Sequence, residues 1–281
     1  MLDYEVSLSS LALSEVLPYS LYGTPVATIS RKDRIWTASV MLRFFLESMT
    51  DQLVVLDNKK PCGLVGGYDI ISNILKNPNF DFFENNTVDK IMYGGIATVG
   101  SKTKVMDLIN EWHQSRRAFS IIQKNSQYFA VSVRTMLEIY PFMKTSLKIK
   151  DIPKKKTVYF EKDQSVKEIL NLMLENKTRK LVLKDSQQYV SDRLVIETIC
   201  ADLNYLRDTD DFLNMSCSVF RLEKIKTVSD DIGIQQLCEL FYSMDHPYVM
   251  FRDQVFSPFD IALLLKRNDI HAKKLNDVIR T

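Results

Sequence analysis

The sequence predicts an α+β protein assembled from four copies of a β-α-β-β-α unit, each roughly 60 residues long, folded as two pairs. Three observations predict it. One pattern recurs four times: an amphipathic helix, a short apolar strand, a polar turn, a second apolar strand, and a helix opening on small or acidic residues. Matching positions at that last helix, Asp69, Thr135, Leu194 and Asp260, are spaced by 66 (135 − 69), 59 (194 − 135) and 66 (260 − 194) residues. Finally, the 281-residue chain is 46% hydrophobic, enough for a sizeable core, and its 8 Gly and 8 Pro leave little room for long linkers.

In the first copy, Ile35 to Ser48 has helical periodicity, with Ile35, Val40, Met41, Phe44 and Phe45 offered to an apolar face. The strand Leu53–Leu56, the turn Asp57–Pro61 and the strand Cys62–Val65 follow, and Asp69-Ile70-Ile71 begins a helix. The second copy has a helix from Val105 to Gln114, strands Phe119–Ile122 and Tyr128–Val131 about Lys124-Asn125-Ser126, and a helix from Ser132. The third has Val166 to Glu175, Leu181–Leu183, Asp185-Ser186-Gln187, Tyr189-Val190 and a helix from Ser191. The fourth has Ile232 to Tyr242, Tyr248–Phe251, Arg252-Asp253, Gln254–Phe256 and a helix from Ser257. These place the repeats at 23–85, 86–146, 147–208 and 209–270, with a segment 1–22 before them and a tail 271–281 after. Leu8, Leu11, Ala12 and Leu13, with Leu17 in the next turn, suit the N-terminal segment to pack on the repeats or to join a dimer seam.

Composition narrows the function. A net charge of +2 gives no global field toward nucleic acid or membrane. No stretch approaches ~18 uninterrupted apolar residues, and the N-terminus lacks the basic region of a signal peptide, so a cytoplasmic protein is expected. Cys62, Cys200, Cys217 and Cys238 form no C-x-x-C pair, which favours reduced thiols over zinc or disulfides. His113, His246 and His271 show no i, i+4 pair for a metal, and no phosphate-binding loop, nucleophile elbow or acid/base dyad appears, so no catalytic residue and no metal requirement are expected. The adjacent carboxylates Asp210-Asp211 and Asp230-Asp231 suit helix starts.

The strand Leu53-Val54-Val55-Leu56-Asp57 and the run Gly63-Leu64-Val65-Gly66-Gly67-Tyr68-Asp69 resemble the CBS-domain family signature, an apolar L-P-V-V-D-like strand followed by G-h-h-T-x-x-D entering a helix. Gln254 to Asp260 is the next best match, and the resemblance covers about residues 23–270. It implies paired repeats, or Bateman modules, related by pseudo-twofold axes, four repeats closing a disc as in energy-sensing gamma subunits. It further implies clefts for AMP, ADP or ATP, with S-adenosylmethionine as a lesser candidate. In such clefts the final Asp bonds the ribose hydroxyls, the Ser/Thr three residues earlier contacts ribose or phosphate, and a basic residue before the first core strand meets the phosphate. An ionised carboxylate suits a vicinal diol, and a helix N-terminus suits a phosphate.

Carried over by position, the fourth repeat is the most complete, with Ser257, Asp260 and His246. Ser-Pro-Phe-Asp is equally a good helix start, and the two roles can coexist. The first repeat keeps Asp69 but has Gly66 for the usual Ser/Thr and Asp51 for the usual base. The second has Ser132 and Thr135, with Arg116 and Arg117 before its strand; the third has Ser191 and an apolar Leu194, with Arg179 and Lys180. Those cations also suit solvated helix ends. Lys154-Lys155-Lys156 offers an acidic-partner or nucleic-acid contact, with plain solvation as the simpler reading. The expected function is regulatory: a non-enzymatic sensor binding adenine nucleotide in unequal clefts and relaying occupancy to an effector protein, with a homodimer left open. The alternatives are an interaction scaffold with degenerate clefts and a nucleic-acid-associated regulator.

Overall fold

A computed structural model describes residues 6–17, 19–44, 52–140, 143–201, 204–207, 211–266 and 271–272. An N-terminal piece comprises β1 (Val6–Ser7) and α1 (Leu13–Val16). The first repeat is β2 (Thr28–Ser30), α2 (Ile35–Phe44), β3 (Gln52–Asp57), β4 (Lys60–Gly66) and α3 (Gly67–Lys76), followed by α4 (Phe80–Asn85). The second is β5 (Thr98–Val99), α5 (Val105–Ser115), β6 (Phe119–Lys124), β7 (Gln127–Ser132) and α6 (Val133–Leu137), trailed by β8 (Met143–Lys144). The third is β9 (Tyr159–Phe160), α7 (Val166–Glu175), β10 (Lys180–Leu183), β11 (Gln188–Ser191) and α8 (Asp192–Ala201), with α9 (Asn204–Arg207) and β12 (Glu223–Lys224) after it. The fourth is β13 (Lys226–Thr227), α10 (Ile234–Tyr242), β14 (Val249–Phe251), β15 (Gln254–Phe256) and α11 (Pro258–Leu264), and β16 (His271–Ala272) ends the described chain.

The same sheet is built each time, in the orders β2-β3-β4, β5-β6-β7, β9-β10-β11 with β12 on its edge, and β13-β14-β15. In the first three copies the opening strand runs parallel to the second, which forms an antiparallel hairpin with the third. Tight turns set the hairpin register. Asn58 and Lys59, and then Asn125 and Ser126, take positive φ in succession, the mirror-image turn that matches strand twist.

Each crossover helix buries one face at i, i+3, i+4 and i+7: Ile35, Ala38, Ser39 and Leu42; Val105, Leu108, Ile109 and Trp112; Val166, Ile169, Leu170 and Met173; Ile234, Leu237, Cys238 and Phe241. This corrects the face expected for α2. Val40 and Met41 are only half-buried, because helical register, not side-chain size, selects the inward positions. The side chains of Phe44 and Phe45 and the end of that helix lie outside the described residues, as does Asp51.

The chain divides into two compact units of alternate repeats. One comprises Met1–Val26, Ala97–Lys155 and Thr227–Thr281, holding repeats two and four; the other comprises Ala27–Ile96 and Lys156–Lys226, holding repeats one and three. In the first unit α11 packs on α5, α6 and α10, over a core of Trp112, Tyr140, Phe241 and Phe256. In the second, α3 packs on α7 and α8, and α2 on α4 and α8.

The start of each crossover helix is held by a segment from elsewhere. The Ile35 N–H donates to Asn86 O, and that of Val166 to Met215 O, while the Ile234 N–H donates to Leu147 O. At α5 the N-terminal segment takes this part, Val105 N–H donating to Leu11 O and Leu13 N–H to Thr103 O. Leu8, Leu11, Leu13, Val16, Leu17 and Leu21 are buried in the same core, so the segment packs on the repeats. Phe83 and Tyr140 are buried, and the Tyr140 hydroxyl donates to Ile261 O.

Candidate ligand-binding helix starts

The chemistry expected of the chain converges on the starts of α3, α6, α8 and α11. The hairpin that feeds each helix explains why. The last residue of β4, β7 and β11 is the helix N-cap position, and the ladder pairs it with the first residue of the preceding strand: Gly66 with Gln52, Ser132 with Phe119, Ser191 with Lys180. A residue just before that strand therefore stands beside the first helical turn, whose N–H groups have no partner within the helix.

At α11, the Asp260 Oδ2 accepts from Ser257 N–H at 2.7 Å and from Ser257 Oγ at 2.7 Å. Lys155 also places its ammonium on this oxygen, bringing Ser257 and Asp260 together with a residue the sequence left as solvated. Lys154 and Lys156 are exposed, as expected of them. His246 lies in the α10–β14 loop and is half-buried.

At α3, the Asp69 Oδ2 accepts from Gly66 N–H at 2.9 Å, and Asp69 is buried. A Cβ added to Gly66 would meet the Gln52 carboxamide at 2.7–2.9 Å, so Gln52 fills the space a Ser or Thr side chain would take. On Gly67 a Cβ would lie 2.4 Å from Asp192 Oδ2, which brings the α8 start directly against that of α3.

Asp192 accounts for the cation of the third repeat. Its side chain is 1% exposed, and its Oδ2 accepts from Arg179 Nε at 2.7 Å. The backbone closes the same loop, Asp192 N–H donating to Arg179 O at 3.0 Å. Arg179 thus stands beside the α8 start but is bound to a buried carboxylate. Leu194 is fully buried core, and its N–H is accepted by Ser191 Oγ at 3.3 Å. At α6, Thr135 Oγ1 accepts from Ser132 N–H at 3.2 Å. Arg116 ends α5 in a left-handed conformation, φ 59°, and Arg117 N–H donates to Ser115 Oγ at 3.2 Å.

Sequence reasoning missed Gln52, Lys155 and Asp192. Of these only Asp192 carried a local signal, an acidic residue in a first helical turn. Among the described residues no group of three or more His, Cys, Asp or Glu could hold a metal ion, and no helix is long and apolar enough to cross a membrane.

Residues 149–191 match the family model of the CBS domain. The matched stretch runs from the segment before β9 through β11 to the α8 N-cap. Among solved structures, a protein of Methanocaldococcus jannaschii described as a proposed archaeal homolog of g-AMPK has TM-score 0.73 at 13% identity, covering 87% of this chain and 98% of its own. An uncharacterized conserved protein of Pyrococcus horikoshii has TM-score 0.50 at 10% identity, covering 88% and 98%. No curated protein matches the chain. The stretch that matches the CBS domain thus lies in the third of four copies of one β-α-β-β-α unit, a fold similar to that of these solved structures.

Proposed function

We propose that this protein is a regulatory sensor that binds an adenine nucleotide through the helix starts of its repeats and passes occupancy to a partner protein. CBS-domain proteins are generally regulatory and commonly bind adenine nucleotides, and the Methanocaldococcus neighbour is described as a relative of g-AMPK.

One observation carries the reading: Asp69 and Asp260 supply more than helix capping needs. Four equivalent helices face the same requirement of partners for their first N–H groups. The second repeat meets it with the neutral Thr135, which accepts the same N-cap N–H that Asp69 and Asp260 accept in theirs; in the third, Ser191 Oγ accepts from Leu194 N–H and Asp192 Oδ1 from Arg193 N–H. A carboxylate is thus not required for the cap. What it adds is charge and acceptor capacity, which suit the two hydroxyls of a ribose. Asp260, with Ser257 beside it and 15% of its side chain exposed, is the stronger candidate, and Asp69 the second.

The first and fourth repeats are the sensing ones, and the third, with Leu194 in the core and Arg179 on Asp192, is structural. A ligand favouring one packing of the repeats shifts the population toward it, and the partner reads that shift. No catalysis is involved.

Titration calorimetry with AMP, ADP, ATP and S-adenosylmethionine tests this. An adenine nucleotide should bind, and Asp260→Ala should weaken it more than Asp69→Ala. Absence of binding by all four, or nucleotide affinity unchanged in both variants, would remove the assignment.

A further inference from the structure

Lys155 has a role that neither its neighbours nor its repeat position suggests. It lies 105 residues from Asp260 in sequence, on the connector between β8 and β9 that opens the third repeat. That connector is tied down on the fourth repeat. Lys148 pairs with Gly233 in a β-bridge and its ammonium meets Asp231 at 2.8 Å; the Lys155 N–H donates to Gln254 Oε1 at 3.2 Å. The Lys155 Nζ stands 5.5 Å from the Phe256 ring centroid. Its ammonium is thereby delivered to Asp260 Oδ2, where both Ser257 donors also converge. The side chains of the pair are 30% and 15% exposed, so a solute has access to both.

We propose that Lys155 makes the Asp260 site discriminate phosphorylated from unphosphorylated nucleosides. The inference rests on the reading of Asp260 as a ribose ligand. An ammonium is a stronger donor to a carboxylate than a neutral hydroxyl, so a bare nucleoside competes for Asp260 at a disadvantage. A nucleotide brings its own remedy. Its phosphate offers the ammonium a second anion, so Lys155 can turn from Asp260 to the phosphate while the ribose hydroxyls take its place. Adenosine shares the carboxylate with the cation and gives that cation nothing in return.

The test compares adenosine with AMP on the full chain by calorimetry. Lys155→Met keeps the stem and removes the charge. Adenosine affinity should rise about 1.5- to 5-fold, the range expected for a partly exposed ion pair, and the preference for AMP should shrink. Adding Asp260→Asn to Lys155→Met should abolish the gain. In the unaltered protein, moderate NaCl should strengthen adenosine binding, because salt weakens the competing pair and leaves an uncharged ligand untouched; this arm needs no variant to fold. If AMP binds but adenosine affinity is unchanged or lower in Lys155→Met, or the preference for AMP persists, the proposal is overturned and the nucleotide reading stands. If neither ligand binds to either protein, both fall together.

Discussion

Gly67→Ala is the sharpest test of how the first and third repeats join. The substitution adds one methyl at the start of α3, where backbone conformation poses no obstacle, since no glycine among the described residues has positive φ. Helix propensity alone would favour alanine by up to ~1 kcal/mol, less in a first turn than in the interior. Space decides otherwise. The new Cβ would lie 2.4 Å from Asp192 Oδ2 and 2.9 Å from its Cγ. That carboxylate cannot swing into solvent, because it is 1% exposed and held by Arg179 Nε at 2.7 Å. Either the α3 start moves or Asp192 leaves its cation. Overpacking costs about 1–3 kcal/mol. Breaking a buried pair outright costs more, but 39% exposure of the Arg179 side chain lets water compensate the guanidinium. A net loss of about 1–2 kcal/mol is expected, against helix propensity.

Urea melts followed by far-UV circular dichroism should show this as a lower midpoint at unchanged slope, a shift of about 0.5–1 M. The decisive arm is the double-mutant cycle with Asp192→Ala. In that background the obstructing oxygens are gone, so Gly67→Ala should be neutral or stabilising. Equal losses in the two backgrounds, or no loss in the unaltered protein, would refute the packing argument.

Three further outcomes follow from other parts of the molecule. Tyr140→Phe removes a buried hydroxyl that donates to Ile261 O, and should cost about 1–2 kcal/mol in denaturant melts by stranding that carbonyl. Ser165→Ala deletes both the acceptor for Glu168 N–H and the hydroxyl bonded to Glu168 Oε2, and should cost about 1 kcal/mol, while the same change at the exposed Ser14 should cost little. Burial pushes the Cys200 thiol up to about 11 from an ordinary 9.0. The unfolded chain therefore ionises first. Stability from this group is intact below pH 9 and lost as pH rises toward 11, and Cys200→Ala should flatten that part of the stability–pH curve.

The fold was legible because its information is local and repeated. Four crossover helices bury i, i+3, i+4 and i+7, and four hairpins end in a capped helix, so each copy corroborates the others. The error within α2 has the same origin. Size and hydrophobicity drew attention to Val40 and Met41, whereas alignment to the other copies selects Ala38 and Ser39. Residue positions at the helix starts were also legible, because the hairpin register places them. The pairing of alternate repeats into compact units was not. It depends on which helices meet, and helices of similar pattern are interchangeable in sequence.

What escaped the sequence is the identity of the neighbours at each helix start, and those neighbours decide the chemistry. Arg117 and Arg179 looked alike, each a cation before a core strand. The ladder begins at Lys180 in one copy and at Phe119 in the other, so the N–H of the first helical residue bonds the carbonyl of Arg179 in one and of Ala118 in the other. A one-residue offset thus puts Arg179 against the helix and Arg117 a step outside it. Asp192 then captures the arginine that is closer. The reverse happened in the fourth repeat, where the expected base, His246, sits in a loop and the cation on Asp260 comes from a connector 105 residues earlier. Electrostatics at these sites is therefore set by residues that differ from copy to copy. Two helix starts with similar sequences, Gly-Gly-Tyr-Asp and Ser-Pro-Phe-Asp, present different surfaces for that reason: one walled by Gln52 and Asp192, the other neutralised by Lys155. Similarity between the repeats predicts where a ligand would be held. The residues that do not repeat set the charge and space around each helix start.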